Sequence, residues 1–67
     1  MKSRLKALRA ERGWTQEQLG AEVGVSRYAI NALETERHDP SLDLAFRIAA
    51  AFSLAVEDVF ANPHLKA

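Results

Sequence analysis

Residues 16–34 read QEQLGAEVGVSRYAINALE, Gln16 to Glu34. Counted from Gln16, Gly20 is the fifth residue, Gly24 the ninth, Ile30 the fifteenth and Leu33 the eighteenth. Each position answers a geometrical demand. A small fifth residue lets two helices cross closely at a steep angle. A ninth-position glycine turns the chain with positive φ at least cost. Ile30 and Leu33, three apart, share the face of a second helix and hold it against the first. The stretch therefore predicts a helix, a tight connection and a second helix laid across it.

Both helices carry start signals. Thr15 is followed three residues later by Gln18, the spacing of a capping box, with Glu17 placed to favour the helix dipole. The first inner face is Leu19 and Val23. Ser26 opens the second helix as an N-cap. Upstream, the spacing predicts a helix from about Lys2 to Arg12, with Leu5 and Leu8 inward, stopped at Gly13 and followed by Trp14 packed over the junction. Downstream, Thr35 to Pro40 is polar, and Pro40 biases Asp39 away from helix. Ser41 then caps a fourth helix, about Leu42 to Phe52, with Asp43 in its first turn. One stripe of that helix holds Leu44, Ala45, Ile48 and Phe52, and a second holds Leu42, Phe46 and Ala50. A short fifth helix is expected over Val56 to Phe60, with Glu57 and Asp58 in its first turn. Apolar residues recur at three and four rather than at two, so the fold class is all-α. Residues 1–61 form one expected domain, with residues 62–67 as a frayed tail.

Composition narrows the function. A chain of 67 residues has little margin for an enclosed active site. It has no cysteine, which removes disulfides, thiolate metal sites and a thiol nucleophile. His38 and His64 have no second ligand at metal spacing, so neither metal nor cofactor is expected. His38, Ser41 and Asp43 make no catalytic triad, because Ser41 and Asp43 are explained as a cap and a dipole partner. The start, MKSRLKALRAERG, breaks its apolar residues with charge at every turn, unlike a signal peptide or a membrane anchor. Cytoplasm is the expected location. Net charge is zero, but residues 1–37 hold seven Lys/Arg against five Glu and residues 38–67 sum to −2. The basic half is the one suited to a polyanion.

The spacing in residues 16–34 is the helix-turn-helix pattern, and the whole chain resembles the phage-repressor-like, Cro/Xre-type regulators. LKALRAERGWTQEQLGAEVGVS, INALE, DPSLDLAFRIAAAF and VEDVF are similar to that family's blocks, in its order, from Leu5 to Phe60. The resemblance implies a five-helix, lambda-repressor-like domain that binds double-stranded DNA as a transcriptional regulator, not an enzyme. In this motif the N-terminal part of the second helix enters the major groove. Carried over by position, base-reading roles fall on Ser26, Arg27, Tyr28 and Ala32, with Asn31 adjacent. A wheel with Ile30 and Leu33 inward places Tyr28, Asn31, Ala32 and Thr35 outward and Arg27 on the flank. Arg27 could fork onto guanine or grip a phosphate. Tyr28 could lie on a thymine methyl, bond a phosphate, or be a partly exposed ring packed on Arg27 or Ala32. Phosphate contacts are implied for Thr15 and Gln16, where a helix N-terminus suits an anion, and for Thr35 and Arg37 at the other side. Gln16 is also expected to brace the reading helix. Arg9 and Glu34 match positions that form a partly buried, structural salt bridge in the family.

Two departures stand out. Relatives often carry Gly where Glu36 and Ser53 stand, so the helix before Glu36 is expected to run on or to turn differently. The second apolar stripe exceeds what one small core can bury. Phe46, Val56, Val59 and Phe60 are accordingly expected at a homodimer contact, since two half-sites read together give a selective contact. The leading expectation is a repressor acting as a homodimer on a palindromic operator. The alternative is an antitoxin or accessory module whose apolar C-terminal face binds a protein partner.

Overall fold

A computed structural model describes residues 1–65 of the chain. Among them run five helices: α1 Leu5–Glu11, α2 Gln16–Val23, α3 Arg27–Glu34, α4 Leu42–Ala51 and α5 Val56–Val59. Three of the helices begin where a side-chain hydroxyl takes up an orphan N–H. Thr15 Oγ1 accepts from the Gln18 N–H at 3.0 Å, and Gln18 Oε1 accepts from the Thr15 N–H at 2.8 Å, closing the capping box. Ser26 Oγ accepts from the Ala29 N–H at 3.2 Å, and Ser41 Oγ from the Leu44 N–H at 3.1 Å. No helix among the described residues is long and apolar enough to cross a membrane.

The crossing of α2 and α3 is set by Gly20. A Cβ at that position would lie 2.5 Å from the Val25 carbonyl oxygen and 3.2 Å from the Ser26 carbonyl carbon. The connecting backbone thus rests directly on α2. Leu19, Ile30 and Ile48 are fully buried beneath this crossing, joined by Leu5 from α1 and Val59 from α5. Trp14 covers one flank, its ring centroid 5.5 Å from that of Phe52, and the Arg12 guanidinium lies 5.5 Å from both. Arg12 also donates to the Ala51 and Phe52 carbonyls at 3.4 and 3.3 Å, occupying the C-terminus of α4.

The N-terminus departs from expectation. Residues 2–4 are not helical; they run antiparallel to residues 59–61. The Arg4 N–H donates to the Val59 carbonyl at 2.8 Å, the Ala61 N–H donates to the Lys2 carbonyl at 2.9 Å, and Ser3 bridges Phe60. A pairing three residues long leaves no alternating signature in the sequence. Its effect corrects a second expectation. Val59 and Phe60, assigned above to a dimer contact, are 1% and 4% exposed and belong to this chain's own core. Val56 is half-buried against the same core, while Leu42 and Phe46 remain exposed. Of the tail expected to fray, residues 62–65 are exposed and form a turn, with the His64 N–H donating to Asn62 Oδ1 at 2.9 Å; residues 66 and 67 lie outside the described part.

Two helices end on residues other than glycine in the left-handed region: Glu36 at φ 61° and Ser53 at φ 56°. The helix before Glu36 neither runs on nor turns differently. The Glu36 N–H donates to the Leu33 carbonyl at 3.2 Å and the Arg37 N–H to the Ala32 carbonyl at 3.0 Å. Ser53 and Leu54 do the same to Ala50 and Ala49, both at 3.0 Å. These bonds satisfy the last carbonyls of each helix and hold the strained residue in place. Glu36→Gly and Ser53→Gly should each stabilise the fold by about 1 kcal/mol, because Gly adopts this conformation without the Cβ penalty. Urea unfolding of the double variant should show close to the sum; no gain in either single variant would contradict the strain.

Candidate nucleic-acid interface

The candidate surface is the front of α3. Ile30 and Leu33 are buried and fix the rotation of the helix, which leaves Ser26, Arg27 and Tyr28 exposed and Asn31 half-buried. Tyr28 is 71% exposed, and its ring is stacked by a neighbour in sequence. That neighbour is Arg27. Its guanidinium carbon lies 5.0 Å from the Tyr28 ring centroid, and Nη2 donates to the Tyr28 hydroxyl at 3.1 Å. Stacking and hydrogen bonding together hold two long side chains as one unit.

Ala32 is not on this face. It is 8% exposed, and the Arg37 and His38 N–H groups donate to its carbonyl at 3.0 and 3.3 Å. The wheel treats α3 as an isolated cylinder, whereas the left-handed turn at Glu36 folds residues 35–38 back over Ala32. The base-reading role assigned to Ala32 is therefore withdrawn.

The same turn brings Arg37 back along the helix. Its Nη2 donates to Asn31 Oδ1 at 2.9 Å, and its Nε donates to Thr35 Oγ1 at 3.1 Å. The Thr35 hydroxyl donates to the Asn31 carbonyl at 2.9 Å. Its proton is committed to the helix end, so in this arrangement Thr35 positions Arg37 and offers nothing to a phosphate. A contact over six residues through a non-helical turn has no periodic signature, which is why sequence reasoning treated Asn31 and Arg37 separately.

At the other side, the N-terminus of α2 presents donors. The Gln16 and Glu17 N–H groups precede the first intrahelical bond, from the Leu19 N–H to the Thr15 carbonyl at 3.0 Å. They and the Thr15 hydroxyl proton make none of the described hydrogen bonds, while Thr15 Oγ1 acts as the cap. An anion placed there meets oriented N–H groups and the positive dipole end. The Glu17 carboxylate, exposed in the same turn, opposes it.

Behind this surface lies a charged brace. Arg9 Nε donates to Glu34 Oε2 at 2.7 Å and Nη2 to Oε1 at 3.1 Å, while Nη1 donates to the Trp14 carbonyl at 2.7 Å. The side chains are 15% and 4% exposed. Gln16 Nε2 adds a bond to Glu34 Oε1 at 3.1 Å, so Gln16 does brace α3, at its last residue. Burial by itself raises the Glu34 carboxyl; the hydrogen bonds from Arg9 and Gln16, with the charges of Arg9 and Lys6, outweigh it and hold it below its ordinary value of 4.5. The hydrogen bond to Glu34 raises Arg9 in turn, against its own burial. A further brace went unforeseen. Arg47 of α4 donates from Nη1 to the Val23 carbonyl at 2.7 Å and pairs through Nε with Asp43 at 2.9 Å. It secures the end of α2 at Gly24, and only the tertiary fold brings it there.

The helix-turn-helix family model, HTH_3, matches residues 5–59. The chain belongs to the helix-turn-helix family. Its relatives include an uncharacterized HTH-type transcriptional regulator of Methanocaldococcus jannaschii, 50% identical over 60 residues, which span 90% of this chain and 91% of the relative. An uncharacterized HTH-type transcriptional regulator of Bacillus subtilis matches at the same identity and coverage. Among solved structures, the P22 c2 repressor protein in complex with a synthetic operator is similar with a TM-score of 0.78 at 28% identity, over 81% of this chain and 82% of that one. This helix-turn-helix domain is thus lambda-repressor-like, and its family is one of DNA-binding transcriptional regulators rather than of enzymes. Its α2 and α3 are the two helices of the motif.

Proposed function

We propose that the chain is a repressor that binds a palindromic operator as a homodimer in the cytoplasm and blocks a promoter there. Ser26, Arg27, Tyr28 and Asn31 read base edges; Thr15, Gln16 and Arg37 grip phosphates on either side. The observation that carries this reading is the preassembled Arg27–Tyr28 pair on an exposed face, flanked by the free donors at the start of α2 and by Arg37. The P22 c2 protein, a repressor by name, supports the regulatory sign. Leu42 and Phe46, 70% and 59% exposed and one turn apart on α4, supply the proposed dimer contact, with Val56 at its margin. Val59 and Phe60 support it only from within.

Selection from random duplexes with the purified protein tests the whole reading. It should return two inverted half-sites centred about 34 Å apart, one helical turn. Arg27→Ala should relax preference at one position per half-site by about 1–3 kcal/mol. Gln16→Ala should weaken all sequences alike. Enrichment of a lone half-site, together with a monomer by ultracentrifugation on and off DNA, would overturn the dimer. The same exposed pair on α4 favours a second reading, an antitoxin or accessory module docking a protein partner. Phe46→Asp decides between them: loss of cellular activity with operator binding and dimerisation intact supports the partner.

A further inference from the structure

We infer that Arg37 presets the Asn31 side-chain amide as a hydrogen-bond donor towards the major groove, so that Asn31 selects guanine where a free asparagine would select adenine. The inference rests on the proposed reading of bases by α3 and names the chemistry of one contact within it. Asn31 lies three residues after Tyr28 and four after Arg27, on the same face of α3. A guanidinium carries only donors, so the amide atom 2.9 Å from Arg37 Nη2 is the oxygen, and the Asn31 NH₂ group takes the opposite side. That NH₂ group makes none of the described hydrogen bonds.

The orientation is held from several directions. Arg37 Nε is anchored on Thr35 Oγ1, and the Thr35 hydroxyl is anchored in turn on the Asn31 carbonyl. The Arg37 backbone is pinned by its N–H to the Ala32 carbonyl, a bond that the left-handed Glu36 makes possible. Turning the amide over would set its NH₂ against the Nη2 donor and give up a charge-assisted hydrogen bond.

An unconstrained asparagine favours adenine because its oxygen accepts from N6 while its nitrogen donates to N7. With the oxygen turned onto Arg37, the NH₂ group is what the amide holds out on its other side, and donation is what it offers a base. Guanine presents two acceptors, O6 and N7; adenine presents N7 beside its N6 amino donor, thymine presents O4 alone, and cytosine presents only an amino donor. Guanine is therefore the best partner and cytosine the worst. Arg37 Nη1 makes none of the described hydrogen bonds and is left for a phosphate. One guanidinium thus ties the backbone grip to the orientation of a reading side chain. Arg37 is a positioning residue as well as a backbone contact.

The test is duplex selection with the wild-type protein, Asn31→Ala, Arg37→Leu and Arg37→Lys, each checked for a wild-type circular dichroism spectrum. Asn31→Ala identifies the half-site position that Asn31 reads, as the one whose preference collapses. Wild-type protein should prefer guanine there, and Arg37→Leu should move the preference towards adenine by about fivefold or more, as the amide turns freely. Arg37→Lys, which keeps a donor and the charge, should retain part of the guanine preference. Uniform weakening by Arg37→Leu with every base preference kept would reduce Arg37 to a phosphate contact and overturn the inference. A wild-type preference for adenine at that position, or no position altered by Asn31→Ala, would overturn it equally. Failure of the wild-type protein to enrich any site would instead sink the proposed DNA reading itself.

Discussion

Glu34→Ala is expected to cost about 3 kcal/mol of stability, the lower end of what breaking a buried pair costs, because part of Arg9 still reaches solvent. The loss comes less from the missing attraction than from what is left behind. Arg9 keeps its bond to the Trp14 carbonyl, yet two of its donors then face a space that water fills poorly. For a domain of this length the total is roughly 3–10 kcal/mol, so the variant sits near the edge of folding. Replacing both partners by apolar residues, Arg9→Met with Glu34→Leu, should recover much of the loss, since no charge is then stranded. Acid separates the mechanisms further. The Glu34 carboxyl is held below its ordinary 4.5, so its contribution is complete above that value and falls away as pH drops through the lower, folded value. Glu34→Gln should therefore be less stable than wild type at pH 7 and converge with it in acid. Urea midpoints at pH 7 and pH 3 measure this; a constant gap between the two proteins would rule out the ionic account.

Gly20→Val is expected to unfold the domain at room temperature or to leave it barely folded. Even the first added carbon would sit 2.5 Å from the Val25 oxygen, a backbone atom that cannot rotate away. Val25 cannot shift freely either, because its own N–H donates to the Gly20 carbonyl at 2.9 Å. Overpacking usually costs about 1–3 kcal/mol, and two further methyl groups aimed at a carbonyl place Val at or beyond the top of that range. Gly20→Ala is the graded control: its helix-propensity gain of about 1 kcal/mol offsets only part of the clash. Thermal melts should rank wild type above Ala and Ala above Val. A Val variant melting within two or three degrees of wild type would mean that the helices do not cross as closely as described.

Legibility followed the range of each interaction. Capping residues, the inward Ile30 and Leu33, and the small residue at 20 act within a few positions of themselves, so their spacing reveals them. The Arg9–Glu34 pair spans 25 positions and was legible only through the resemblance to a family. Arg47 on the Val23 carbonyl, Arg37 on Asn31, and the strand-like pairing of residues 2–4 with 59–61 have no period, and the sequence carries no mark of them. Ala32, Val59 and Phe60 were misplaced for a related reason. A wheel or a stripe shows which residues share a face, but segments remote in sequence decide whether that face is covered.

The pairing of residues 2–4 with 59–61 bears on the order in which the chain assembles. The helix-turn-helix can form through contacts made within about twenty residues, before the rest has arrived. The clasp instead joins points separated by nearly the whole chain, so it must wait until both ends are present. Folding would then finish where the chain begins, and any opening of the native state would start there, baring Val59 and Phe60 while α2 and α3 stay crossed.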